Sequence, residues 1–306
     1  MGAARVLVLR AAGTNCDQET AFAFERAGAT VDLVHVNRLV ETRVALHAYH
    51  AFVLPGGFTY GDDVAAGRIL ANELKHRLGA ELLRFVDDGK LILGICNGFQ
   101  ALVKMGLLPG RLPAPRPVRA VPRALAAKAG PEQDEDDLEG EGPEPVVPLP
   151  PLPQDVTLTY NDSGRFEDRW VYLKVCSKLS EFIREGDLLQ LPVAHGEGKF
   201  VPRDESVLRS LQEGDQLVLR YVAPDGSPAG YPCNPNGSVD GVAGICDPTG
   251  RIFGLMPHPE RHAAVVQHPR WTRLSGPGTG LYPVPSKDGA GLQIFRNGVQ
   301  WVERHR

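Results

Sequence analysis

The sequence is poor in cysteine, in basic charge and in long apolar runs, and each shortage narrows the field. Five cysteines in 306 residues stand at positions 16, 96, 176, 233 and 246, no two closer than thirteen positions. That spacing argues against a CxxC redox pair, a zinc knuckle and a disulfide framework. It fits a reducing, cytoplasmic setting. No apolar stretch approaches membrane-spanning length, so no membrane association is expected. Arg5 and Arg10 bracket only a strand-length run near the N-terminus, so no secretory signal is expected. Val6 stands where a myristoylation signal needs Ser or Thr. With 33 Lys and Arg against 37 Asp and Glu, the net charge of −4 leaves no basic footprint for nucleic acid. No phosphate-cradling glycine loop with its lysine is present, so nucleotide binding is not expected either.

What remains, 42% hydrophobic and 23% charged residues, is the composition of an ordinary soluble globular protein. At this length one large domain or two small ones are possible. Short apolar runs predict strands at 5–10, 31–36, 51–54 and 91–95, with helices at about 17–27 and 65–88 between them. This alternation indicates a parallel sheet covered on both faces, with ligands gathering at the carboxyl ends of its strands. The second half predicts strands at 156–160, 170–176, 190–194, 216–222, 241–246 and 251–256. Few helices are expected among them, and a final helix is expected at about 290–304.

Residues 111–155 interrupt the pattern. They hold eleven prolines, nine acidic and five basic residues, leaving the other 261 residues balanced at 28 of each sign. A segment of this composition buries too little apolar surface to offset its ordering entropy. It is read as a surface insertion, a solvated linker rather than a partner-binding arm. A Pro-Gly-rich connecting loop is expected at 275–290.

The most informative stretch is Leu91-Ile-Leu-Gly-Ile-Cys-Asn-Gly-Phe-Gln100. An apolar run ends in a cysteine flanked by Gly94 and Gly98, and a helical pattern follows. This is how a nucleophile is presented on a sharp strand-to-helix turn, where helix N-terminal amides favour thiolate over thiol. The plainer alternative is a buried cysteine at a strand end. A cysteine nucleophile needs a base, and the base needs orienting. His258-Pro259-Glu260 supplies both. Pro259 pushes His258 toward extended backbone, and in an extended chain residues two apart face one side. The plainer alternative here is a histidine that merely caps a proline-rich turn. An oxyanion hole would come from the Asn97 amide and from the Gly56-Gly57-Phe58 turn, each donor worth about 3–4 kcal/mol in the transition state.

Gly94-Ile-Cys96-Asn-Gly98-Phe-Gln100 with His258-Pro-Glu260 resembles the class I, triad-type glutamine amidotransferases. Further strings narrow the likeness: Gly13-Thr-Asn-Cys-Asp17, Pro55-Gly-Gly-Phe-Thr-Tyr-Gly-Asp62, His195-Gly-Glu-Gly198, Asn236-Gly-Ser238 and Gly254–Arg261. Together they are similar to the glutaminase subunits of phosphoribosylformylglycinamidine synthase, over residues 5–110 and about 156–265. Asn161-Asp-Ser-Gly-Arg-Phe-Glu167 resembles the matching domain of the fused form of that enzyme.

The resemblance implies an α/β, flavodoxin-like amidotransferase fold in one domain. Its central, mostly parallel sheet is flanked by helices, with extra strands in the C-terminal half. It implies Cys96 as nucleophile, His258 as base, Glu260 as its orienter, and Gly57 with Asn97 as the oxyanion hole. Gln100, His195, Gly196 and Glu197 would line the glutamine pocket, with Arg165 and Phe166 as pocket or interface candidates. Cys16 has no base partner in the pattern and is not expected to be a second nucleophile. Cys176, Cys233 and Cys246 are read as structural.

No cofactor or metal is implied for this chain. ATP and Mg would be used by a separate synthetase subunit, bridged by a small third subunit, that receives ammonia and makes formylglycinamidine ribonucleotide. Three departures stand out: the insertion, a 265–290 segment without an assignable counterpart, and the missing ligase half. The alternatives are an amidotransferase serving another synthetase, a non-catalytic partner-binding module of the same fold, and an independent thiol hydrolase.

Overall fold

Buried Val-Leu-Val-Leu between Arg5 and Arg10 begins a sheet whose middle strands carry no polar side chain at all. The computed structural model describes residues 2–41, 44–110, 148–150, 152–183, 188–274 and 287–305. In chain order the elements are β1 (Arg5–Arg10), α1 (Asp17–Arg26), β2 (Thr30–His35), α2 (Val36–Val40), β3 (Ala51–Leu54), α3 (Arg68–Arg77), α4 (Gly79–Asp87), β4 (Leu91–Ile95) and α5 (Asn97–Met105). They continue with β5 (Val156–Tyr160), β6 (Glu167–Val175), β7 (Leu188–His195), β8 (Glu197–Pro202), α6 (Glu205–Glu213), β9 (Leu217–Val222), β10 (Val242–Cys246), β11 (Ile252–Leu255), α7 (Trp271–Leu274) and α8 (Leu292–His305).

Among the described residues the main sheet has the order β2-β1-β3-β4-β11-β10-β9-β6-β7, and β5 pairs with β8 apart from it. The first five strands are parallel neighbours, the flavodoxin-like order, and the last four extend the sheet antiparallel. β3, β4 and β11 are buried along their whole length. That follows from helices covering both faces, which removes any use for alternating polarity. No helix among the described residues is long and apolar enough to cross a membrane.

Several expectations need correction. The single helix at 65–88 is two helices meeting at Leu78, which has the non-helical angles φ −129° and ψ 14°. Residues 148–149 pack into that break. The Leu149 amide donates to the Lys75 carbonyl at 2.8 Å, and a Cβ on Gly79 would lie 2.1 Å from the Leu149 nitrogen. The expected insertion is therefore too long at its far end. Leu149 and Leu152 belong to the core, and buried Asp155 pairs with Arg203. Positions 111–147 and 151 lie outside the described residues, as do 275–286 of the expected Pro-Gly loop. Helix α6 was not anticipated, although Asp204 caps it by accepting from the Val207 amide at 3.1 Å.

The close approach of α5 to β3 fixes where the nucleophile turn sits. A Cβ on Gly98 would stand 1.9 Å from the Leu54 carbonyl oxygen and 2.6 Å from its carbon, both backbone atoms that cannot swing aside. Gly98→Ala is expected to lower stability by about 1–3 kcal/mol, read as a shift of the urea midpoint at unchanged slope. An unmoved midpoint contradicts this packing.

Candidate active site

Strand register brings three turns to one edge. Leu54 pairs with Gly94, and Leu255 with Ile95, so Pro55–Gly57, Cys96 and Met256–His258 emerge side by side at the carboxyl ends of β3, β4 and β11. Cys96 leaves β4 with φ 50° and ψ −105°, a conformation L residues rarely adopt, at a cost on the order of 1–3 kcal/mol. Its own backbone is pinned on both sides. The Cys96 amide donates to the Leu255 carbonyl at 2.7 Å, and its carbonyl accepts from the Gln100 amide at 3.1 Å. Gly94 keeps the turn tight, since a Cβ there would lie 2.8 Å from the Gly98 carbonyl carbon. The Asn97 amide heads α5 and has no acceptor within the helix.

His258 and Glu260 meet as expected, but not along an extended chain. His258 has φ −106° and ψ 87°, in keeping with the proline after it. The backbone then folds into a 3₁₀ turn over Pro259–His262, and this turn carries Glu260 Oε1 to 2.6 Å from His258 Nδ1. Both residues are buried. Burial alone would push the imidazole down. The Glu260 carboxylate, the Cys96 sulfur and the contact with Cys16 outweigh it and hold His258 well above the ordinary histidine range. The carboxylate can only accept, so Nδ1 carries the proton and Nε2 is the atom left to exchange one. Nε2 is buried without a hydrogen-bond partner, and the Cys96 thiol is directed to the Ala194 carbonyl oxygen at 3.9 Å. The proton path between thiol and imidazole is thus assembled but not closed.

The glycine turn packs against this pair. A Cβ on Gly56 would lie 2.7 Å from His258 Cε1, and Gly57 adopts φ +139° against Asn15. The Phe58 amide donates to the Gly13 carbonyl at 3.0 Å, which ties the turn to the loop after β1. Thr59 donates to Asn97 Oδ1, and Asn97 Nδ2 donates to Asp62 at 2.8 Å. The Asn97 side chain is therefore anchored to the turn through Thr59 and Asp62.

The other candidates divide. His195 is buried beside the dyad, and burial together with the nearby His258 charge brings its imidazole down to about 3. Its tautomer follows from Asn161. The Asn161 amide nitrogen donates to the carbonyls of Arg165 and His195 at 2.9 and 2.8 Å, and its oxygen accepts from the Gly198 amide at 3.1 Å. The Asn161 oxygen is then what faces His195 Nδ1 at 3.2 Å, so Nδ1 carries the hydrogen. Nε2 is left as a buried acceptor with no partner. Gln100 has both ends occupied, donating to the Glu197 carbonyl and accepting from Asn97 Nδ2 at 3.1 Å. It braces α5 against the 195–198 loop. Glu197 also accepts from the Ala66 amide at 3.4 Å, and Gly196 is half-buried. Phe166 is exposed and lies beside the exposed Phe58 ring, 6.1 Å between centroids. Arg165 lines a cavity of about 610 Å³ with Asp162, Tyr231 and Asn234.

Asn161, Asn236 and Ser238 were visible in the sequence as strings without a role. Here they hold the loop that carries His195. Asn236 donates to the Gly198 carbonyl at 2.8 Å, and Ser238 accepts from the Phe200 amide at 3.0 Å. The signal that could have found them was their company of small polar residues in turns. Cys246 is buried in β10, where burial pushes its thiol well above the ordinary range. Cys176 and Cys233 are half-buried.

The chain was compared with known proteins. The CobB/CobQ-like glutamine amidotransferase domain family matches residues 3–121 and 148–302. The match runs through the 265–290 segment that had no assignable counterpart, and between its two ends it leaves out the middle of the expected insertion. The phosphoribosylformylglycinamidine synthase subunit PurQ of Dehalococcoides mccartyi is 43% identical over 99% of this chain and 100% of its own length. That of Methanococcus maripaludis is 36% identical over 98% of both chains. Among solved structures, a chain of PurLQS from Thermotoga maritima superposes with a TM-score of 0.63 at 26% identity, covering 98% of this chain and 100% of that one. The chain belongs to the CobB/CobQ-like glutamine amidotransferase family, within the branch of the phosphoribosylformylglycinamidine synthase PurQ subunits.

Proposed function

We propose that this chain is the glutaminase subunit of phosphoribosylformylglycinamidine synthase. It hydrolyses glutamine at Cys96 and passes the ammonia to a separate ATP- and Mg-dependent synthetase in purine biosynthesis. The observation that carries this reading is a cysteine on a strained strand-to-helix turn, beside a buried His258–Glu260 pair. The Dehalococcoides relative bears the name of that subunit along its whole length, and the Thermotoga relative is part of PurLQS. A synthetase subunit and a small bridging subunit are the partners this implies.

In the reaction, Cys96 Sγ attacks the side-chain carbonyl carbon of glutamine. The oxyanion forms against the Asn97 and Gly57 amides, which need no reorganisation as charge develops. The His258 imidazolium holds the thiol's proton at Nε2 and delivers it to the departing nitrogen, leaving a γ-glutamyl thioester and ammonia. Water, losing a proton to the same Nε2, then releases glutamate and restores the thiol. Glu260 keeps the proton on Nδ1 throughout and steadies the imidazolium. Neutral His195 offers its bare Nε2 as an acceptor in the glutamine pocket, while Gln100, Gly196 and Glu197 form the wall that carries it.

With the synthetase subunit present, Cys96→Ala should abolish glutamine-dependent product formation and spare the ammonium-dependent reaction. Loss of both would make Cys96 a structural residue. Glu260→Gln should lower glutaminase kcat by about 10³–10⁴-fold. The carboxylate lifts His258, so its removal lets the imidazolium lose its proton at lower pH. The alkaline limb of kcat/KM should move down, and a limb that stays in place counts against the role of Glu260. Because the thiol points to Ala194 and Nε2 has no partner, the isolated chain should turn over slowly and accelerate when the synthetase is added. Full activity without the partner would refute this.

A further inference from the structure

Cys16 is a buried thiol for which the reaction has no use, yet it stands against the catalytic pair. Its Sγ accepts from Arg261 Nη2 at 3.1 Å, approaches Asn15 Oδ1 at 3.4 Å, and lies 4.0 Å from His258 Nδ1. Arg261 follows Glu260 directly in the chain. The second carboxylate oxygen of Glu260, Oε2, is buried and has no hydrogen-bond partner. The guanidinium feels the Glu260 carboxylate, and a charge-assisted bond between two such groups would be among the strongest available. Here the guanidinium is spent on sulfur instead.

We propose that Cys16 is a positioning residue of the His258–Glu260 pair: it holds Arg261 away from Glu260 Oε2, so that the carboxylate stays committed to the imidazole. Sulfur suits this task. It is a weak acceptor, so it engages the guanidinium without taking the Nδ1 proton from a carboxylate that sits 2.6 Å away. An oxygen anion at the same place would compete for that proton. Three potential metal ligands do lie within 4.8 Å of one another here, Cys16, His258 and Glu260. The guanidinium on Sγ and the short imidazole–carboxylate contact already commit those atoms to one another, so the cluster is a relay of hydrogen bonds rather than a cation site.

The charged groups around the relay are few. His258 is faced by Glu260, Cys96 and Cys16, and it in turn acts on His195. Arg261 is faced by Cys16, Glu260 and Glu19. If Cys16 is removed, Arg261 loses its sulfur partner while still under the pull of the Glu260 carboxylate, whose Oε2 is unsatisfied. Pairing with it would draw negative charge away from the imidazolium.

The proposal rests on the glutaminase reading, and the test separates the two. Cys16→Ala, Cys16→Ser and the double variant Cys16→Ala/Arg261→Met are assayed for glutamine hydrolysis with the synthetase subunit present. In parallel, the His258 imidazole is titrated by NMR in chains that all carry Cys96→Ala, a readout independent of turnover. Cys16→Ala should lower kcat by about 10- to 100-fold and move both the alkaline limb and the His258 titration to lower pH. Adding Arg261→Met should return the titration and most of the rate, and Cys16→Ser, which keeps an acceptor for the guanidinium, should fall between. A double variant no better than Cys16→Ala, or a titration that ignores Cys16, overturns the proposal. If no chain hydrolyses glutamine while the titration still follows this pattern, the glutaminase reading fails and the positioning role of Cys16 stands.

Discussion

A carboxylate with no exposed surface, 2.6 Å from an equally buried imidazole, constrains everything around it. Two such groups are costly to bury unless each is held in good geometry by the other and by its neighbours. The 3₁₀ turn at Pro259–His262 sets their separation. The His258 amide, donating to the Pro192 carbonyl at 2.8 Å, fastens that turn to β7. Gly56 lets the turn approach the ring, since a Cβ there would lie 2.7 Å from His258 Cε1. The same enclosure leaves Nε2 as the unpartnered end of the pair, with the imidazole under the influence of Cys96.

The sheet explains why these parts meet. A flavodoxin-like order places β3, β4 and β11 side by side, and parallel strands deliver their following turns to a single edge. The strain at Cys96 is tolerable because backbone hydrogen bonds to Leu255 and Gln100 hold the residue from both sides. Glycines at 94 and 98 let helix and strand close on it. The antiparallel half contributes the second wall: β7 ends in His195, Asn161 fixes that histidine's tautomer, and Asn236 and Ser238 hold the loop behind it. Fold and chemistry are thus linked through backbone positions more than through side-chain pairings.

Much of this was legible in the sequence, and the limits have physical reasons. Cys96 could be read from its flanking glycines because a tight elbow tolerates little else. His258 and Glu260 could be read from their spacing, although the spacing works through a 3₁₀ turn and not through an extended strand. The break of helix 65–88 at Leu78 had a local sign in Gly79, but the packing of Leu149 against that glycine was out of reach of local pattern. That pattern could not show Leu149 and Leu152 leaving a Pro- and acid-rich stretch to join the core. Nor could it give Asn161 its place under His195, because a hydrogen-bond hub is a property of three loops at once. The role of Cys16 was hidden for the same reason, as its partner Arg261 lies 245 positions away.

The central claim is that Cys96, and no other thiol, carries the glutamyl group. It is tested most directly by mixing the complex with glutamine, quenching in acid within the turnover time, and mapping the modified peptide by mass spectrometry. The account predicts a γ-glutamyl adduct on Cys96 that disappears as glutamine is exhausted, with Cys16 unmodified throughout. An adduct on Cys16, or none on Cys96 while glutamate accumulates, would contradict it.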